Sequence, residues 1–125
     1  MKKDKWRERC LKAPNLMFGK ALNNAKLRAS KRSLPFNLTR EYITNLFDSQ
    51  DGKCYYSGIK MNIVKSNVFK VHDPFKMTLD CVDPKLGYIE GNVVWCLYCI
   101  NALKLEMSKE EMFDVCSKIA QTLKV

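Results

Sequence analysis

Some absences narrow the reading first. The 125 residues contain one histidine, His72, so an imidazole base has a single candidate. No apolar run approaches the length of a membrane span, which argues against a membrane partner. The basic opening, MKKDKWRERC, has no apolar stretch after it, so a secretory leader is not expected and a cytoplasmic, intracellular setting is. No repeat and no low-complexity linker interrupts the chain, so residues 1–125 are expected to form one domain. Acidic residues are few, 13 against 22 Lys and Arg, and the net charge is +9.

That charge is unevenly placed. Residues 1–32 carry eleven Lys or Arg and two acids, while residues 33–125 carry eleven of each. A basic segment beside a neutral body is the electrostatic footprint of a phosphate-backbone binder. Residues 1–36 are therefore read as a basic helical segment for double-stranded DNA. From Leu16 the apolar spacing suits a helix to about Ser30, and Lys26, Arg28, Lys31 and Arg32 lie on or just past it as contacts for nucleic acid. A solvated face is the plainer alternative.

A second helix is expected from Asn37 or Thr39 as cap through about Gln50, stopped by Asp51-Gly52. Its stripe of Tyr42, Ile43, Leu46 and Phe47 marks it for the core. Lys53 to Gly58 looks like a short strand and tight turn. Residues 59–76 are weakly patterned. Ser108 and Glu111 form a capping box, and Met112, Phe113, Val115, Cys116, Ile119 and Leu123 give the following helix one apolar face, expected to pack on the preceding unit.

Residues 76–105 organise the rest. Met77 to Val82 reads as a strand and Asp83 to Gly87 as a turn. Tyr88 to Val93 reads as a second extended piece, broken at Gly91-Asn92. After Val94 the apolar spacing turns helical through Lys104. The expected class is α+β, with a hairpin-then-helix core flanked by basic N-terminal helices and a C-terminal helix. Asp80, Asn92 and Asn101 are the polar residues that such a unit can converge.

The stretch Asp80-Cys81-Val82-Asp83-Pro84, with Asn92-Val93-Val94 and then Asn101 and Lys104, resembles the HNH endonuclease family and its ββα-metal core. The wider wording, LDxxD, GYxxGNV, N and K, is similar to HNH-like proteins common in bacteriophages. The resemblance is strongest over about 30 residues, with a looser likeness back to Arg28 through LPFNLT and GKCYYSG. It implies that Asp80 and Asn101 bind a divalent metal, Mg²⁺ or Mn²⁺, through hard oxygen ligands. It implies that Asn92 orients the base and holds the hairpin. Lys104, on the face of Asn101, is read as a phosphate contact. The base position, a His in the family, is Cys81 here. A thiol, with an ordinary pKa of about 8.5, is a poor base at neutral pH. Asp83 and His72 are the other candidates.

Six cysteines occur in the chain, and reduced thiols are the expected state. Cys96 and Cys99 form one CxxC pair, and Cys54 belongs to an incomplete second pair, so a structural Zn²⁺ on Cys54, Cys96 and Cys99 stands beside ordinary buried thiols. Cys96 and Cys99 are expected on one helical face with Ile100, Leu103 and Met107. The leading functional expectation is a metal-dependent DNA endonuclease of the kind phages and mobile elements carry. Alternatives are a DNA-binding protein on an HNH scaffold without cleavage, and a zinc-stabilised interaction module. Cys81 separates the first two: its thiol predicts slow or absent hydrolysis, while Asp80, Asn92 and Asn101 predict retained metal binding.

Overall fold

The computed structural model describes residues 14–62 and 73–123. His72, the alternative base, and the basic residues before Pro14 lie outside the described residues. The elements run α1 (Pro14–Lys31), α2 (Arg40–Ser49), β1 (Met77–Cys81), β2 (Val93–Leu97), α3 (Tyr98–Lys104) and α4 (Lys109–Thr122). This is a mixed α+β fold, and β1, β2 and α3 follow one another as hairpin then helix. Among the described residues no helix is long and apolar enough to cross a membrane.

The helix boundaries follow local signals. Thr39 caps α2, its side chain accepting from the Tyr42 amide. At the other end Asp51 and Gly52 take positive φ values of 54° and 68°, which ends the helix. Ser108 and Glu111 form the reciprocal capping box of α4.

The basic helix α1 is also a core element. Phe18, Ala25 and Ala29 are buried, whereas Lys20, Lys26, Arg28 and Lys31 are exposed. Phe18, Phe47 and Trp95 meet edge to face, with ring centroids 5.4 to 5.7 Å apart. Such pairs add about 0.5–1.5 kcal/mol each beyond their area burial. The Trp95 indole donates to the Ile43 carbonyl across 2.8 Å, so the largest buried side chain leaves no polar atom unpaired.

The second strand differs from expectation. It covers residues 93–97 and not 88–93, and α3 starts at Tyr98 and not after Val94. All five strand residues are buried, so no alternation marks them, and an apolar run of that length reads equally as strand or helix. The register pairs Asp80 with Val94 and Cys81 with Val93. The outer edge of β2 is closed by side chain and turn: the Gln50 amide bonds both backbone groups of Trp95, and the Tyr55 amide donates to the Trp95 carbonyl.

Tyr88 pairs instead with Phe36 in an isolated parallel bridge. This contact straps the segment after α1 onto the hairpin loop. Gly87 has φ +84°, and a Cβ there would stand 2.6 Å from the Pro35 carbonyl oxygen. Only glycine allows that approach. Asn37 and Tyr42 complete the strap by accepting from the amides of Glu90 and Gly91.

The last helix departs furthest from expectation. Of its apolar face only Met112 is buried; Phe113, Val115, Ile119 and Leu123 are exposed. The face does not pack on the hairpin and α3 beyond its first turn.

Candidate functional site

The β1 strand brings Asp80 to the floor of a cavity of about 680 Å³. Thr78, Cys81, Tyr88 and Asn101 line it beside Asp80, and Arg28 and Arg32 line it from α1 and the residue just after it. The two arginines are four residues apart and so share a helix face. The cavity therefore carries two guanidinium groups, two carboxylates and one amide, from α1, β1, α3 and the residues just after the two helices; the second carboxylate, Glu106, stands 3.8 Å from Arg32 at the exposed rim.

Asp80 is nearly buried, at 6% exposure. The Tyr56 hydroxyl donates to its Oδ2 across 2.6 Å, and Lys104 Nζ stands 3.3 Å from the same oxygen. Burial pushes the carboxyl above the usual carboxylate range, and the Tyr56 hydroxyl and the Lys104 ammonium pull it back. Burial, with the Asp80 bond, raises the Tyr56 hydroxyl in turn, so it stays a donor. Oδ1 is the carboxylate's other acceptor.

Lys104, expected at the phosphate backbone, is instead fully buried. It donates to the Cys81 carbonyl across 2.8 Å and pairs with Asp80. A buried ammonium requires such partners, and these two tie α3 to β1. Asn101, one turn earlier, spends its amide Nδ2 on Thr78 Oγ1 and the Leu79 carbonyl, both at 3.2 Å. Its amide oxygen is the atom left for a ligand.

Cys81 is buried, and its thiol is pushed up to about 11, chiefly by burial and then by the Asp80 charge. The neighbouring Tyr88 hydroxyl and the Lys104 and Arg32 charges pull it partway back. At neutral pH this side chain holds its proton and does not accept another.

Asn92 and Asp83 do not join the cavity's other residues. The Asn92 side chain accepts from the Asp83 amide at 3.0 Å and donates to the carbonyls of Asp83 and Gly87 at 2.9 and 2.7 Å. All of its polar atoms are thereby committed to the loop between the strands, so it holds the hairpin and has no group left to orient a base. Asp83 accepts from the Lys85 amide within the turn and lines a neighbouring cavity of about 760 Å³ with Glu106, Ser108 and Glu111.

The zinc expectation meets a different arrangement. Cys96 lies on β2, buried against Thr78, and Cys99 lies on α3, half-buried. The shared helical face expected for them does not form, because the chain is still extended at Cys96. Burial raises the Cys96 thiol strongly. Among the described residues no three His, Cys, Asp or Glu side chains converge as a metal site, Cys54 included.

Tyr56, Thr78 and Tyr88 are site residues that sequence reasoning did not single out. The first and last lie in the GKCYYSG and GYxxGN wordings, which flag those segments without revealing what the tyrosines touch. Lys26 and Lys31 are exposed on α1, on the same helix as Arg28.

Comparison with known proteins adds one relative. The chain is 30% identical over 94 residues to an uncharacterized 29.0 kDa protein from the dda–modA intergenic region of Enterobacteria phage T4. The match covers 74% of this chain and 34% of the relative, so the chain spans about a third of that protein's length. No family model and no solved structure matches it.

Proposed function

We propose that this chain is an HNH-like, metal-dependent endonuclease acting on the phosphodiester bonds of double-stranded DNA. The observation that supports the reading most is the meeting of Arg28, Arg32, Asp80 and Asn101 around one cavity. Asp80 and Asn101 would hold the divalent ion, Mg²⁺ or Mn²⁺. The donor set suits such an ion: a carboxylate oxygen and an amide oxygen are hard ligands, and Mg²⁺ takes its remaining positions from water and phosphate. When bound, the ion stabilises charge on the scissile phosphate and the leaving oxygen.

The chain's own groups do the rest. Arg28 and Arg32 clamp phosphate oxygens as planar, permanently charged donors. Lys26 and Lys31 extend the basic track along the backbone. Tyr56 and Lys104 fix Asp80 Oδ2, which leaves the other oxygen aimed by a held side chain. The T4 relative supports a bacteriophage setting.

A second reading, DNA binding without cleavage on the same scaffold, is favoured by Cys81. A buried thiol at about 11 does not take a proton from water at neutral pH. Plasmid nicking in Mg²⁺ or Mn²⁺, with Asp80→Ala as control, tests the first reading. Metal-dependent nicking lost in the variant supports it. Tight binding without nicking in either metal moves the assignment to the second.

A further inference from the structure

Helix α3 ends in a turn that strains a leucine. Leu105 follows the helix with φ 48° and ψ −120°. The Met107 amide donates back to the Lys104 carbonyl across 2.8 Å, so Lys104 to Met107 form a four-residue turn. Positive φ at the second residue alone is the pattern of type II′ turns, which glycine, asparagine and aspartate dominate. Ser33 and Asp51, the other described non-glycine residues with positive φ, are short and polar. A leucine in that conformation crowds its own backbone.

The turn is fixed at both ends, and packing does not need its leucine. Lys104, at its start, is fully buried and bonded to Asp80 and the Cys81 carbonyl. Ser108, just past its end, caps α4. Leu105 itself is the most exposed large apolar side chain among the described residues, at 76%. Glycine would make the same turn without strain and without an apolar group in water. Strain that the surroundings enforce and packing does not use points to function.

The position of Leu105 narrows that function. It lines the cavity that holds Arg28, Arg32, Asp80 and Asn101. Glu106, beside it, reaches Arg32 at 3.8 Å, an exposed pair that a phosphate can replace. Cations that hold phosphate beside a projecting apolar tip are the parts of a DNA wedge, whose side chain enters the base stack. An apolar protein surface would bury the guanidinium groups without anions, whereas a duplex meets both features.

We propose that Leu105 is such a wedge. With a phosphate held by Arg28 and Arg32, its side chain enters between two stacked base pairs and partly unstacks them. Resting on the DNA reading above, the wedge means that the bound duplex is kinked and untwisted at the site.

A closed circular plasmid, relaxed by a metal-independent topoisomerase with the full chain bound in chelator, reports untwisting at any sequence and without strand cleavage. The wild type is expected to lower the linking number in proportion to the protein bound. Leu105→Gly is expected to leave it unchanged while keeping the salt slope of binding that Arg28 and Arg32 set. That variant should melt no lower than the wild type, because glycine adopts this backbone freely. Leu105→Met, which keeps an apolar tip, should retain the shift. Short duplexes with one mismatch should bind the wild type about 10-fold tighter than matched ones, since a loosened step opens more easily, and should bind Leu105→Gly equally. A wild type that binds duplex with a salt slope that Arg28→Ala flattens, yet leaves the linking number alone, overturns the wedge and leaves the DNA reading standing. So does a shift that persists in Leu105→Gly, or a Leu105→Gly chain that melts below the wild type, which would make the side chain structural. A wild type that binds no duplex overturns both.

Discussion

The Tyr56 hydroxyl donates to Asp80 Oδ2 across 2.6 Å, joining the turn after α2 to the strand that carries the candidate metal ligand. The bond reaches a nearly buried carboxylate whose other partner, Lys104, is fully buried. The three groups form one network, and among the described residues no buried side-chain polar atom lacks a partner.

Tyr56→Phe removes the bond and keeps the ring that meets Tyr55 and Phe113. Hydrogen bonds to charged groups contribute about 1.5–3 kcal/mol, so urea unfolding should show a loss in that range. The variant should also need more Mg²⁺ for half-maximal nicking while binding DNA as before. Unchanged stability and unchanged metal dependence together would remove Tyr56 from the site.

Lys104→Met leaves the Asp80 carboxylate buried beside a thioether. Breaking a buried pair from one side costs about 3–5 kcal/mol. Adding Asp80→Asn removes the uncompensated charge, so the double variant should be more stable than Lys104→Met alone. Equal stabilities in urea would mean that the pair is not coupled.

Arg28→Ala and Arg32→Ala address the phosphate clamp. Each phosphate contact contributes about 0.9 to the slope of log affinity against log salt on duplex DNA. Each variant should flatten that slope by about 0.9, and the double variant by about twice that, for duplexes of any sequence. Removing residues 1–32 altogether is not a clean alternative, because Phe18 in that segment completes the aromatic cluster with Phe47 and Trp95.

Cys81 makes an alkaline prediction. The folded state pushes its thiol from the free-thiol range of about 8.5–9 up to about 11. Between these values the unfolded chain releases the proton while the folded chain keeps it. The folded state then binds more protons, so this contribution is fully present below about pH 9 and is lost as pH rises toward about 11. Cys81→Ala should flatten part of the alkaline decline in a denaturant series. Cys96 and Tyr88, also raised by burial, should keep the rest.

What the sequence revealed was largely local. The Thr39 cap, the Asp51-Gly52 stop and the Ser108–Glu111 box each depend on neighbours a few residues apart. The extent of β1 and the turn after it were legible for the same reason. β2 was not, because Val93 to Leu97 are covered on both faces and carry no period. Lys104 reads as a surface charge in one dimension; its burial depends on Asp80 and the Cys81 carbonyl, which only the packed hairpin brings to it. Asn92 was expected to serve both chemistry and hairpin, and the loop consumes all its polar atoms. The apolar face of α4 was legible too, but a periodicity cannot say what will cover it.

The central claim is that Asp80 and Asn101 form, with Arg28 and Arg32, a metal-dependent site for DNA cleavage. One plasmid-nicking series at neutral pH tests it, comparing the wild-type chain, Asp80→Asn, Asn101→Ala and Cys81→His in Mg²⁺, Mn²⁺ and chelator. The account predicts slow nicking by the wild type in either metal and none in chelator. It predicts loss in Asp80→Asn and Asn101→Ala, and a gain of about 10²-fold in Cys81→His, the usual contribution of a positioned acid–base group. Nicking that persists in Asp80→Asn, or a folded Cys81→His chain that binds DNA and leaves the plasmid intact in both metals, would contradict it.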